Sequence, residues 1–288
     1  LTACGASTII VAGGNAPIHH GDPPMKRLIL AAMLAAGLAG AAHADDDALK
    51  AAIAGTHRAA TSSARDVYRH PYETLTFFGI KPTMTVVELF PEGGWYTNIL
   101  APYLHDHGKL IGAQEATKPT DRPAIAFQQK LAAYPKVYDK VVFGVFDPPS
   151  SYNFAPVGSV DMVVTFRNIH NFMGLSESGR TAMFKQVYDS LKPGGVFGVV
   201  EHRLPAAMPM DAAASTGYMH EAAVIKMIEA AGFKLAAKSE VNANPKDKAN
   251  HKGGVWALPP TYTNKDVDRA RYEAIGESDR MTLKFVKP

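Results

Sequence analysis

The sequence predicts a doubly wound α/β domain, and three observations carry that prediction. From Thr85 onward, β-rich apolar runs alternate with helix-like segments; several runs are apolar throughout; and a glycine-bearing turn follows the first of them. Strands that are apolar on both faces need cover above and below, which a mostly parallel sheet with crossover helices supplies.

Taken in order, residues 49–69 are Ala-rich and helix-like, and residues 73–79 read as a second short helix stopped by Gly79 and Pro82. Residues 85–90 form the first strand, and Pro91-Glu92-Gly93-Gly94 is a turn opening a helix over 95–104. The pattern continues with a strand over 109–113, a helix over 125–134, strands over 140–146 and 161–166, a helix over 177–191 and a strand over 196–201. A helix over 221–231, ended by Gly232, leads to a strand over 234–241, and a strand over 281–286 closes the sheet. Residues 242–260, rich in Asn, Lys, Gly and Pro, predict a long loop of the kind that forms lids or binding surfaces. Trp256 within it is read first as a packing anchor, with lining of the cleft as the other reading. No repeat or low-complexity tract interrupts the chain after Asp47, so residues 45–288 are expected to form one domain.

Composition narrows the function. With 47% hydrophobic and 20% charged residues, the 288-residue chain has the make-up of an ordinary globular protein. Its formal charge is +3 and no basic stretch is interleaved with aromatics, which argues against nucleic acid as a partner. Residues 25–44 carry Lys26-Arg27, an apolar run and Ala42-His43-Ala44, the three parts of a cleavable secretory signal. The run is short of the ~20 apolar residues a span needs, so no stable membrane anchor is expected after cleavage. The expectation is therefore export to the periplasm. Residues 1–24 precede Met25 and are read as an upstream segment without assigned structure. The single cysteine, Cys4, would leave with it, so the exported domain is expected to lack disulfides and thiolate ligands.

In open α/β sheets ligands bind outside the carboxyl ends of the strands, where strand order reverses. Glu88 near the end of the first strand and Gly93-Gly94 in its turn place a carboxylate and close-approach backbone there. The turn lacks G-x-G-x-x-G, which disfavours a pyrophosphate and suits a group carrying both amino and carboxylate functions. Glu115 after the second strand and Asp147 after the third put further acids at successive strand ends, suited to hydroxyl and amino groups; the alternative for each is a solvated loop acid.

Several blocks resemble class I S-adenosylmethionine-dependent methyltransferases, and more closely a bacterial family of exported ones. They are Val86-Val87-Glu88-Leu89-Phe90-Pro91-Glu92-Gly93-Gly94-Trp95-Tyr96, Thr165-Phe166-Arg167-Asn168-Ile169-His170-Asn171-Phe172, and Leu191-Lys192-Pro193-Gly194-Gly195. Glu201-His202-Arg203 and Glu277-Ser278-Asp279-Arg280-Met281 belong to the same likeness. It runs from about Arg58 to the C-terminus and implies a Rossmann-like, mostly parallel seven-stranded sheet whose last strand is antiparallel. It further implies S-adenosylmethionine as cofactor, with Glu88, Pro91, Gly93, Gly94, Glu115, Asp147 and Asn168 as its binding residues. Two departures stand out: the pattern has glycine where Phe90 and Glu92 stand, and an acid where Gln114 stands.

Methyl transfer from a sulfonium needs alignment, exclusion of water and sometimes removal of a proton. The residues after the fourth and fifth strands are therefore the catalytic candidates: Arg167, Asn168, His170 and His202. Imidazole takes a proton near neutral pH, which makes the two histidines the candidate bases; the alternative is a structural histidine bonded to backbone. Arg167 suits a cofactor carboxylate or an acidic substrate, or else a salt bridge at the sheet edge. His170, His202, His220 and His251 show no tight ligand spacing, so no metal is expected. The function expected is methylation of a small molecule. A non-catalytic periplasmic ligand-binding protein on the same fold is the alternative, with Glu92 as its mark.

Overall fold

The computed structural model describes residues 44–115 and 122–288. The expected upstream segment, signal and Cys4 lie outside the described residues, Ala44 apart. The strands are β1 (Thr85–Leu89), β2 (Lys109–Gln114), β3 (Val142–Asp147), β4 (Ser151–Asn153), β5 (Val160–Phe166), β6 (Leu191–His202), β7 (Lys234–Ser239) and β8 (Arg280–Val286). They form one sheet in the order β4-β3-β2-β1-β5-β6-β8-β7. The pairs β1–β2, β1–β5, β2–β3 and β5–β6 are parallel, whereas β8 runs antiparallel to both β6 and β7. All seven expected strands occur. The eighth, β4, is a three-residue edge strand turned back on β3 after Asp147.

Alternate residues along each strand feed two cores, because successive side chains point to opposite faces. On one face Val87, Ile111, Val163 and Phe197 pack with Met183, Phe184 and Val187 of the helix Glu177–Ser190 and with Val224 and Ile228 of the helix Glu221–Glu229. On the other, Val86, Leu110, Met162 and Val164 pack with Leu75 and Phe78 of the helix Pro71–Phe78 and with Ile99, Leu100 and Leu104 of the helix Thr97–Leu104. Each such side chain, fully buried, contributes about 1.5–3 kcal/mol. Gly198 in β6 is required here: a Cβ on it would lie 2.7 Å from the Phe78 ring.

The expected single helix over 49–69 is three short pieces: 44–53, Ala60–Ser63 and Asp66–Arg69. The break follows Gly55, and buried Arg58 closes it by donating to both carboxylate oxygens of Asp66 at 2.8 and 2.6 Å. A helix at Arg269–Ile275 was not expected from the pattern. The long loop is tied down rather than loose. Its Asn242 amide donates to Thr74 and Thr282 hydroxyls, and buried Asp247 accepts from Tyr218 Oη, the Ala249 and Asp279 N–H groups and the His251 ring. Among the described residues, no helix is long and apolar enough to cross a membrane.

Candidate active site

Strand order reverses between β1 and β5, so the site is built from the segments that leave these two strands and β6. After β1 the chain enters the left-handed region at Phe90 (φ 48°), Glu92 (φ 46°) and Gly94 (φ 65°). A side chain there costs about 1–2 kcal/mol per residue, so the surroundings must hold it. The Phe90 N–H donates to Ala113 O at 2.7 Å, and its ring packs 5.7 Å from Phe146 and 5.4 Å from Phe172. Gly94 N–H closes the turn on Pro91 O at 2.7 Å. Lys130 of the helix Arg122–Ala133 donates to the carbonyls of Gly93 and Gly94, at 2.6 and 3.2 Å. The carbonyl side of the turn is thus satisfied, while the N–H groups of Glu92 and Gly93 meet no protein acceptor among the described residues. A Cβ on Gly93 would touch nothing within 4 Å, so the turn faces open space there.

Glu88 lies buried behind this turn and accepts from the Thr97 hydroxyl at 2.6 Å. Burial pushes its carboxyl up to about 7, against the opposing pull of Thr97 and Lys130. Pro91 is buried under the turn. At the end of β2, Gln114 is buried with its amide nitrogen unpartnered, while Glu115, one residue on, is exposed. Asp147 is half-buried at the start of the β3–β4 turn.

Beyond β5, Arg167 also adopts a left-handed conformation (φ 65°), held by its N–H bond to Val200 O at 2.7 Å. Its guanidinium makes no hydrogen bond or ion pair among the described residues, so the sheet-edge salt bridge does not form. Asn168 is buried, and its amide donates to Leu89 O, Phe90 O and Thr165 Oγ1 at 3.2–3.4 Å. It fastens the β1 turn to the end of β5, which is a positioning role.

His170 and His202, 32 positions apart, are brought together by this geometry, with ring centroids 5.5 Å apart. Glu201 lies fully buried between them. Its Oε1 is 3.1 Å from His170 Nδ1 and accepts from the His202 N–H, while Oε2 accepts from the His170 N–H. His202 Nδ1 sits 2.6 Å from the Ser278 hydroxyl. Among the described residues neither Nε2 has a hydrogen-bond partner, and both rings line the same cavity. Burial, followed by His170 and the arginines Arg167, Arg280 and Arg69, holds His202 well below its ordinary range, so it is neutral at pH 7.

That cavity has a volume of about 230 Å³ and is lined by Glu92, Arg167, Asn168, His170 and His202, with Trp256 from the long loop. Trp256 stands 6.0 Å from the His170 ring and is 38% exposed. It therefore lines the cavity and is not the buried packing anchor first expected. Below lies a cluster of arginines on one acid: Arg65, Arg69 and Arg280 all contact Glu277. Burial alone would raise the Glu277 carboxyl, but the arginines outweigh it and hold it at about 2. One Arg69 nitrogen, Nη1, remains buried without a partner.

Among the described residues, His170, Glu201 and His202 are the one group of metal-ligating side chains within 4.8 Å of one another. Glu201 already accepts three hydrogen bonds, and arginines surround the group. Both facts suit a carboxylate that orients an imidazole better than they suit a cation site. Of the expected residues, Arg167, Asn168, His170 and His202 share the cavity, whereas Glu88, Pro91, Gly93, Gly94, Glu115 and Asp147 lie along the adjoining ends of β1, β2 and β3. The structure gives parts in the site to four residues outside the expected set: Gln114, noted as a departure from the pattern, Trp256, whose second reading was to line the cleft, Glu201, beside His202 after the fifth strand, and Ser278. Each stood inside a block already singled out or one residue from a candidate, so their types were visible but their convergence was not.

No protein-family model matches the chain, and no curated protein sequence does. Solved structures do. An S-adenosylmethionine-dependent methyltransferase from Aquifex aeolicus aligns with a TM-score of 0.52 at 15% identity, over 78% of this chain and 93% of that one. The [4+2]-cyclase SpnF aligns with a TM-score of 0.52 at 16% identity, over 76% and 80% of the two chains. The chain has the α/β, Rossmann-like methyltransferase fold. Since a cyclase shares it, the fold alone does not fix the reaction.

Proposed function

We propose that the chain is an S-adenosylmethionine-dependent methyltransferase acting on a small-molecule acceptor. The observation that carries this reading is the turn after β1, where Phe90 and Glu92, at positions to which the family pattern gives glycine, keep a left-handed backbone. A turn held in that shape at such cost, with two free N–H groups, is built for close approach of a ligand.

The residues present fit the cofactor. The Glu92 and Gly93 N–H groups would hold its carboxylate, the orphaned Gln114 amide and Glu115 its ribose hydroxyls, and Asp147 its adenine amino group. Bound there, S-adenosylmethionine supplies a methyl group activated by a sulfonium. The chain's own part is to position the acceptor and take its proton. Glu201 accepts from His170 Nδ1–H, which fixes the tautomer and leaves the Nε2 lone pair turned to the cavity as general base. Neutral His202, oriented by Ser278, offers a second imidazole to the acceptor. Trp256 and Pro259 add apolar surface to the cavity wall.

One observation favours the second reading, a ligand-binding protein without turnover: Glu92 places an exposed carboxylate on the turn, where it would oppose the cofactor's own carboxylate. Calorimetric titration of residues 45–288 with S-adenosylmethionine and S-adenosylhomocysteine separates the two. Micromolar binding, about 8 kcal/mol, supports the enzyme. Absence of binding by either compound rejects it and leaves the binding protein.

A further inference from the structure

We propose that the cavity beside His170 recognises an acceptor bearing a single carboxylate, held by the guanidinium of Arg167. The inference rests on the methyltransferase reading for the word acceptor, but the anion site itself is read from charges and partners alone. Arginine side chains of a folded protein normally find carboxylates, and those around this cavity do so with one exception. Arg65, Arg69 and Arg280 bond to Glu277 directly, whereas Arg167, only half exposed, makes no hydrogen bond or ion pair among the described residues and meets Glu277 only through longer-range attraction.

The backbone holds Arg167 in place at a cost. Its φ of 65° is unusual for a long side chain, and the bond to Val200 O together with buried Asn168 on the next position maintains it. Strain kept at a ligand-facing residue is a mark of function when the surroundings over-determine it. The charge behind the wall points the same way: three arginines share the single acid Glu277, and Arg69 Nη1 has no acceptor. Arg69 and Arg280 do not line the cavity, so an anion entering it feels this excess through the wall, without displacing an existing ion pair.

The other unpaired charge on the cavity wall is Glu92, on the turn assigned to the cofactor. The cavity is therefore bipolar, with its acid on the β1 turn and its free cation at the end of β5. One unpaired guanidinium matches one negative charge, and its planar fork matches a carboxylate in two parallel hydrogen bonds. A phosphate dianion would ask for a second free cation. The Asn171 and Thr261 side chains add polar lining, and about 230 Å³ admits a molecule no larger than a substituted aromatic or short aliphatic acid.

The test uses residues 45–288 and the Arg167→Met and Arg167→Lys variants. Probes are benzoate, 4-hydroxybenzoate and acetate, with benzamide as the neutral control and inorganic phosphate as the dianion, titrated with and without S-adenosylhomocysteine. The expected result is saturable binding of a carboxylate but not of benzamide, weakened about tenfold or more by Arg167→Met, and partly retained in Arg167→Lys. S-adenosylhomocysteine affinity should stay within about twofold. Loss of S-adenosylhomocysteine binding in Arg167→Met with carboxylate binding intact would overturn the proposal and give Arg167 to the cofactor, while leaving the methyltransferase reading standing. No Arg167-dependent binding of any carboxylate overturns it outright, as does tighter Arg167-dependent binding of phosphate. If S-adenosylhomocysteine fails to bind but a carboxylate binds through Arg167, the methyltransferase reading falls and the anion site stands.

Discussion

At the scale of single residues, the site is a set of side chains placed where their intrinsic preferences would not put them. Glu92 is exposed and left-handed, and among the described residues nothing bonds its carboxylate. Glu92→Gly should therefore stabilise the fold by about 1 kcal/mol, read by chemical denaturation, because glycine adopts that φ without strain. The same change should tighten S-adenosylhomocysteine binding; weaker binding would assign Glu92 to the cofactor's ammonium group. His170→Ala should lower turnover by about 10²–10⁴-fold once an acceptor is known, with S-adenosylhomocysteine affinity nearly unchanged. Glu201→Gln should lower turnover too, because an amide no longer fixes the His170 tautomer. Unchanged turnover in either variant removes the dyad from the mechanism.

Between elements, the ion cluster on Glu277 matters most, since it joins the helix Asp66–Arg69 and its N-cap residue Arg65 to the start of β8. Glu277 has a carboxyl held at about 2, well below its ordinary 4.5. A depressed acid contributes stability that is present above about pH 4.5 and is lost as the pH falls toward 2. The shift corresponds to about 3 kcal/mol. Glu277→Gln should cost about 3–5 kcal/mol at pH 7, because Arg69 and Arg280 remain buried without their counter-charge, and it should flatten the acid limb of the stability curve. Denaturation followed from pH 7 to 3 reads both effects; an unchanged acid limb would place the charge balance elsewhere. Glu88 acts in the opposite sense. Its carboxyl is raised to about 7, so it weakens the fold as the pH rises from 4.5 to 7.

On the scale of the whole molecule, we propose that a chain of methyltransferase fold is exported, as the signal-like residues 25–44 lead one to expect. Export predicts that periplasmic material begins at Asp45, and N-terminal sequencing checks it: an intact Met25 in that fraction would reject cleavage. A periplasmic enzyme needs its methyl donor on the same side of the membrane. Periplasmic and cytosolic fractions assayed for bound S-adenosylhomocysteine show which compartment holds the loaded protein.

The sequence by itself determined the elements and their order. Strand periodicity, apolar runs and the glycine-bearing turn depend on residues close together in the chain, and they foretold seven of the eight strands. The exceptions were local as well: the three-residue β4 is too short to show a period, and Gly55 broke a segment whose Ala content read as continuous helix. Only the tertiary structure decided which side chains meet. Parallel crossover connections carry the chain across the sheet between consecutive strands, so residues that share one cavity, such as Glu92, Arg167, His202 and Trp256, stand far apart in the sequence. Spacing rules such as those for metal ligands cannot see that convergence. Pairing has the same origin: whether Arg167 finds an acid, or the Gln114 amide nitrogen an acceptor, depends on what packing delivers to its neighbourhood, and among the described residues neither has a bonded partner.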